Sequence, residues 1–193
     1  MESEKVIKNE YGFYELKNKE RGRELAQMFQ NRYYQESMSV YRKEYSAKEL
    51  QMYQIRNMET EYIIHKNAQM KEGMRFLDIG CGEGFASAYF LNKGYEVECL
   101  DLSMEGIKYH NKELLDRFRQ GDARKILPGF IEEGKKYDVI HMRAVFDAMD
   151  AQDAVLGLIR QLLEDAGVMV IEVANNFSPL QLRLWEEKKV KEE

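Results

Sequence analysis

Cysteine and proline are scarce in this chain: Cys81 and Cys99 are its only thiols, and it has two prolines. Two lone thiols outside any CxxC spacing fit a reducing cytosol better than a disulfide scaffold. Long apolar runs are also missing. The longest, such as "VMVIEVA", are far below the roughly 20 residues a bilayer-spanning helix needs. The opening "MESEKVIKNEYG" lacks the apolar core of a signal peptide. Nor is there an excess of positive charge. The formal net charge is −5, whereas a nucleic-acid backbone asks for a basic surface. No His, Cys, Asp and Glu cluster has metal-ligand spacing, so no metal is expected. These absences describe a cytoplasmic protein with neither membrane nor nucleic acid among its partners.

What is present divides near residue 72. Residues 1–71 carry 13 Lys and Arg, 11 Glu, no Asp and 8 of the 12 tyrosines, while residues 72–193 carry 16 basic against 23 acidic residues. The first part reads as a helical N-terminal cap, residues 1–71. "RGRELAQMFQNRYYQ" is rich in helix formers. Ser46 and Glu49 stand in capping-box spacing, and Met52, Ile55, Met58 and Tyr62 mark one face of the helix that follows. "YGFYEL" reads as a short strand or an arm. The second part, residues 72–193, alternates strand candidates (75–79, 96–101, 117–120, 137–142 and 167–173) with helical stretches (84–93, 103–116, 123–134 and 151–164). That rhythm predicts an α/β fold in three layers, a mainly parallel Rossmann-like sheet between helices.

In such a sheet, ligands bind beyond the carboxyl ends of the strands. "RFLDIGCGEGF" ends the first strand of this region and places glycines at 80, 82 and 84. Gly80 can take backbone angles closed to other residues, Gly82 admits close approach of a ligand, and Gly84 permits tight packing at the helix start. The spacing is GxGxG, one residue shorter than the dinucleotide fingerprint, which disfavours an NAD-dependent oxidoreductase. Asp101 ends the second strand, where a carboxylate can reach ribose hydroxyls.

The stretch "FLDIGCGEGFASAYFLNKGYEVECLDLS", followed by "GDA" and "YDVIHMRAVFDAM", resembles the class I S-adenosylmethionine-dependent methyltransferases over about residues 70–176. The resemblance implies S-adenosylmethionine as cofactor, S-adenosylhomocysteine as product, and a small-molecule acceptor. It implies that Asp78 and the loop of Gly80, Cys81, Gly82 and Gly84 hold the methionine end. Asp101 would bind the ribose with Leu102 beside the adenine, and Asp122 would accept from the adenine amino group with Ala123 next to it. His141 and Met142 would lie near the transferring methyl. "YGFYELKN…NRYYQ" and "NNFSPLQL" are similar to methyltransferases of bacterial polysaccharide and sugar modification.

A hydroxyl acceptor benefits from a general base. His141 is the first candidate, its ordinary pKa suiting proton transfer near neutrality, and Asp147 the second. In a strand His141 could equally be a packing residue. His65 and His110, within helical patterns, are weaker candidates, and Cys81 reads as a small packing side chain. Tyr33, Tyr34, Tyr41 and Tyr45 either line an acceptor pocket or pack the helices. The family continues past its fifth strand with further strands, whereas the residues after Val173 read as a loop and one helix carrying Leu180, Leu182, Leu184 and Trp185. A truncated chain, a compact variant or a homodimer covering the sheet edge would each account for that. A relative that binds the cofactor without methylating is the alternative to an enzyme.

Overall fold

The computed structural model describes residues 6–8, 14–16, 44–149, 152–175 and 178–187. The segment holding Tyr33, Tyr34 and Tyr41, the helix expected at its start and the charged end after Glu187 lie outside the described residues. Strands β1 (Val6–Lys8) and β2 (Tyr14–Leu16) pair antiparallel. Helix α1 (Ala47–Asn67) follows, with the expected capping box: Ser46 Oγ accepts from the Glu49 N–H, and the Glu49 carboxylate accepts from Ser46 N at 2.8 Å. This satisfies two of the backbone donors that a helix start leaves unpaired.

From there strands and helices alternate: β3 (Arg75–Ile79), α2 (Phe85–Asn92), β4 (Glu96–Asp101), α3 (Glu105–His110), β5 (Phe118–Gln120), α4 (Ala123–Glu132), β6 (Tyr137–Arg143), α5 (Gln152–Leu162), β7 (Leu163–Glu172) and α6 (Pro179–Glu186). The five strands β3 to β7 form one sheet in the order β5-β4-β3-β6-β7, and every neighbouring pair is parallel. Strand order reverses between β3 and β6, which places the topological switch point, where such sheets bind ligands, at their carboxyl ends. Among the described residues no strand follows β7, and its outer edge is unpaired.

Apolar side chains on both faces of the inner strands β3, β4 and β6 drive this arrangement. Alternation sends Phe76, Val97, Val139 and Val170 to one side, against Ile64 of α1 and Phe90 of α2. Leu77, Ile79, Leu100, Ile140 and Met142 go to the other, against α4 and α5. Phe76 stacks on Phe90 with ring centroids 4.3 Å apart, both fully buried, and burial of each such side chain contributes about 2 kcal/mol.

Helix α1 packs with its polar side inward. Asn57 and Thr60 are buried, whereas Met52, Ile55, Met58 and Tyr62, the face marked by the sequence pattern, are about half exposed at 49–63%. The sheet explains this inversion. The same alternation that turns Val139 toward α1 also turns His141, Arg143 and Glu172 there, and these need polar partners.

Candidate functional site

The loop after β3 is built by glycine. Gly80, Gly82 and Gly84 all have positive φ (74°, 56° and 77°), a region closed to most side chains. A Cβ on Gly80 would stand 2.2 Å from a methyl of Val145, and one on Gly84 would stand 2.5 Å from Ile107 Cδ1. The loop is thus clasped between the segment after β6 and helix α3. Gly106 of α3 tightens this clasp: a Cβ there would lie 2.5 Å from the Gly82 carbonyl oxygen. Sequence reasoning did not single out Gly106, although a glycine two helical positions into "EGIK" was the visible signal.

Asp101 ends β4 and reaches back to the glycine loop. Its Oδ2 accepts from Gly82 N at 2.9 Å and its Oδ1 from Ser103 N at 3.0 Å. Each oxygen therefore keeps a further acceptor site. Burial pushes its carboxyl up to about 6 against the two N–H bonds, with the Glu83 and Asp78 charges adding to the rise. Leu102, partly buried, accepts from Gln120 Nε2 through its carbonyl. Asp122 caps α4 by accepting from Arg124 N at 2.9 Å, and its carboxylate also pairs with the Arg124 guanidinium at 2.6 Å. Those bonds hold its pKa below the usual range. Ala123 beside it is buried.

Asp78 is not open to the loop's outer surface. It is 2% exposed, accepts from Ser87 Oγ at 2.6 Å through Oδ2, and meets His141 Nδ1 at 2.8 Å through Oδ1. His141 Nε2 lies 3.5 Å from Glu172 Oε1. Both partners are carboxylates, a setting that favours the protonated ring. Burial opposes that charge, but Asp78 and Glu172 outweigh it and raise the His141 pKa. Glu172 Oε1 further accepts from Arg143 Nε at 2.7 Å and Thr60 Oγ1 at 2.8 Å. Arg143 reaches Asn57 Oδ1 at 2.7 Å and Thr60 Oγ1 at 3.0 Å. Burial works against the Glu172 charge, yet these bonds hold its carboxyl well below the usual range.

This geometry changes the expectation for His141. At 1% exposure, with both ring nitrogens turned to carboxylates inside the protein, it has no open path to an acceptor. Met142 is fully buried on the opposite face, in the α4–α5 cluster. The reason is that β6 runs on to Arg143, so these two residues lie within the sheet, pointing to opposite faces. The segment at the strand's mouth is Ala144–Phe146. It opens with Ala144 at φ 53°, a strained setting for a residue with a Cβ, and its N–H is held by the Glu172 carbonyl at 2.8 Å. Asp147, in the short helical turn after it, is exposed.

Cys81 packs against the cluster of Cys99, Ile107 and Leu114, and burial pushes its thiol pKa up. His65 lies 4.0 Å from Glu61 at the end of α1. His110 sits closer to the loop than expected. It joins Tyr45, Tyr53 and Phe85 in an aromatic group, and the Tyr45 hydroxyl donates to Glu83 at 2.6 Å. Asn111 Nδ2 in turn donates to the Glu83 carbonyl at 2.6 Å.

A doubly wound parallel sheet, a glycine loop at its switch point and an acid ending the next strand define a nucleoside-cofactor protein. Residues 52–191 match the methyltransferase domain family, and the chain belongs to it. Its sequence is 40% identical over 79 residues to a protein of Methanocaldococcus jannaschii that bears the name of a large-subunit ribosomal RNA methyltransferase, MJ1653, covering 37% of this chain and 20% of that protein. It is 26% identical over 110 residues to the ubiquinone biosynthesis O-methyltransferase of Rhodopseudomonas palustris, covering 57% of this chain and 44% of that protein. The chain thus spans less than half the length of these curated relatives. Among solved structures, CalS10 from Micromonospora echinaspora, an amino pentose methyltransferase with bound S-adenosylmethionine, superposes with a TM-score of 0.53 at 19% identity, covering 68% of this chain and 57% of that one. That likeness concerns the fold. No described helix is long and apolar enough to cross a membrane.

Proposed function

We propose that this chain transfers a methyl group from S-adenosylmethionine to an oxygen or nitrogen of a small molecule. The observation that carries the reading is the Gly82–Asp101 contact within a loop clasped by Val145 and Ile107. It sets a glycine-rich loop beside a carboxylate whose two oxygens each keep an acceptor site, which suits a nucleoside whose ribose needs hydroxyl acceptors. The NAD alternative is disfavoured by the short GxGxG turn.

S-adenosylmethionine supplies a methyl group on a sulfonium, whose departure as a thioether needs no acid. The protein's work is then alignment. Asp101 would orient the ribose and Leu102 and Ala123 would border the adenine. Asp122, which caps α4 and is bridged by the Arg124 guanidinium, would accept from its amino group once that guanidinium gives way. Asp78 would face the methionine amino group, and Ala144–Phe146 would border the methyl. Asp147, exposed on that segment, replaces His141 as the carboxylate able to take a proton from a hydroxyl acceptor. Residues 1–71 are read as a cap, with α1 as its described part, over the cofactor-binding residues 72–193.

A small acceptor is preferred over RNA because of the acidic second part and the net charge of −5. The named activity of CalS10 makes a sugar the first class to screen. Isothermal calorimetry with S-adenosylmethionine and S-adenosylhomocysteine tests the reading. Micromolar binding of either supports it, and silence with both on folded protein, or tighter binding of NAD, overturns it. A cofactor-binding relative without turnover is the second reading. It would show as binding with no methylated product across hydroxyl and amino acceptors.

A further inference from the structure

Asp78 and His141 stand on neighbouring strands, paired in register between β3 and β6, and both are essentially without solvent contact. A carboxylate so placed keeps its charge and direction only if its bonds are made locally. Two are: Ser87 Oγ at 2.6 Å on Oδ2, and the His141 ring at 2.8 Å on Oδ1. His141 is in turn held by Glu172, and Glu172 by Arg143 and Thr60, so the chain of bonds ends on Asn57 and Thr60 of α1. Acidic and basic groups alternate along it: Asp78, His141, Glu172, Arg143. In a poorly solvated setting such a series fixes each member's orientation, because rotating one leaves its neighbour's charge unpaired.

We propose that His141 is a positioning residue for cofactor recognition: held by Glu172, it orients the Asp78 carboxylate toward the amino group of S-adenosylmethionine. This rests on the cofactor reading above. It gives His141 a role through Asp78 instead of contact with the reacting atoms. It also makes the register of α1 against the sheet part of the cofactor site, since Asn57 and Thr60 anchor the far end of the chain.

The two ring nitrogens can be tested separately. His141→Asn places an amide donor near the Nδ1 position and keeps the bond to Asp78. His141→Gln extends its amide toward the Nε2 position and loses that bond. Binding is measured by calorimetry against S-adenosylmethionine and against methylthioadenosine, which shares the nucleoside but lacks the amino acid end. Ser87→Ala removes the other bond to Asp78 with little change in volume and serves as the second variant, chosen to keep the fold. The expected result is a loss of about 10-fold in S-adenosylmethionine affinity for His141→Gln and Ser87→Ala, the loss of one charged hydrogen bond. His141→Asn should retain affinity, and methylthioadenosine should bind all variants alike. Equal losses for both ligands would reduce His141 to a packing residue, as would unchanged S-adenosylmethionine binding in Ser87→Ala. Failure of the unaltered protein to bind either ligand would overturn the cofactor reading, and the positioning role with it.

Discussion

The carboxylate of Asp101 holds the backbone of Gly82: its Oδ2 accepts the Gly82 N–H at 2.9 Å, so the end of β4 sets the shape of the loop after β3. The same side chain is therefore both a wall of the cradle and the acceptor for the ribose. Asp101→Ala should weaken S-adenosylmethionine binding by about 1–3 kcal/mol, the cost of leaving buried polar partners unmet. Calorimetry at neutral pH checks this, and unchanged affinity would remove Asp101 from the site.

The raised Asp101 pKa, about 6, gives two effects of opposite sign. A ribose hydroxyl donates best to the ionised form, so cofactor affinity should fall as pH drops through about 6. Stability runs the other way. The folded pKa exceeds the unfolded one, so this group's contribution is full below about 4 and is lost as pH rises through about 6. Affinity and melting temperature measured from pH 5 to 7 separate the two, and Asp101→Asn should flatten both.

Gly80→Ala probes the clasp. The new Cβ would meet Val145 at 2.2 Å, in a backbone setting of φ 74°. Left-handed strain costs about 1–2 kcal/mol for an L-residue, and overpacking adds about 1–3. Thermal unfolding should fall accordingly. Val145→Ala in the same chain should restore the packing part but not the strain. A full rescue would mean that the backbone angle carries no cost here.

Glu172→Gln should be the most destabilising change in the buried polar chain. It removes the charge that pairs Arg143 and His141, and truncating one partner of a buried pair costs about 3 kcal/mol. Its folded pKa is depressed, so its contribution is present above the usual Glu value of about 4.3 and fades as pH falls toward the folded value. His141 is raised, so its contribution is full below about 6.5 and is lost as pH climbs through its folded pKa. Both act together between roughly pH 4.5 and 6.5, where the melting temperature should be highest in an Asp101→Asn background, which removes the opposing Asp101 slope. Glu172→Gln should flatten this plateau, and a variant with an unaltered pH profile would contradict the assigned charges.

The strands and the glycine loop were legible in the sequence because their signals are local. Residues 75–79 and 96–101 are apolar runs ended by an acid, and the three glycines stand directly after the first. The helix expected over 103–116 instead breaks at Asn111, whose backbone leaves the helical region and whose side chain turns to the Glu83 carbonyl. Strand β7 starts at Leu163, ahead of the expected 167, with an irregular register opposite Tyr137 and Val139. The partners of His141 were not legible. Thr60 and Glu172 are 112 residues apart, and Asn57 and Arg143 are 86 apart. The parallel register of β3, β6 and β7 and the packing of α1 on that face together bring them within reach. The outward turn of Met52, Ile55 and Met58 follows from the same fact, since periodicity shows that a face exists but not what lies opposite it.

Tyr45 ties the start of α1 to the cofactor loop in two separable ways. Its ring makes edge contacts with Tyr53, Phe85 and His110 at 5.2–5.6 Å, and its hydroxyl donates to Glu83 at 2.6 Å. Tyr45→Phe keeps the ring and loses the bond, so stability should drop by about 1 kcal/mol. S-adenosylmethionine affinity should fall by a few-fold as Glu83 and the loop lose one restraint. Tyr45→Ala removes the ring contacts as well, each worth about 0.5–1.5 kcal/mol beyond area, and should lower the melting temperature distinctly further. Equal melting temperatures for the two variants would mean that the hydroxyl bond alone links the two segments. Unchanged affinity in both would show that the aromatic group packs the helices without shaping the loop.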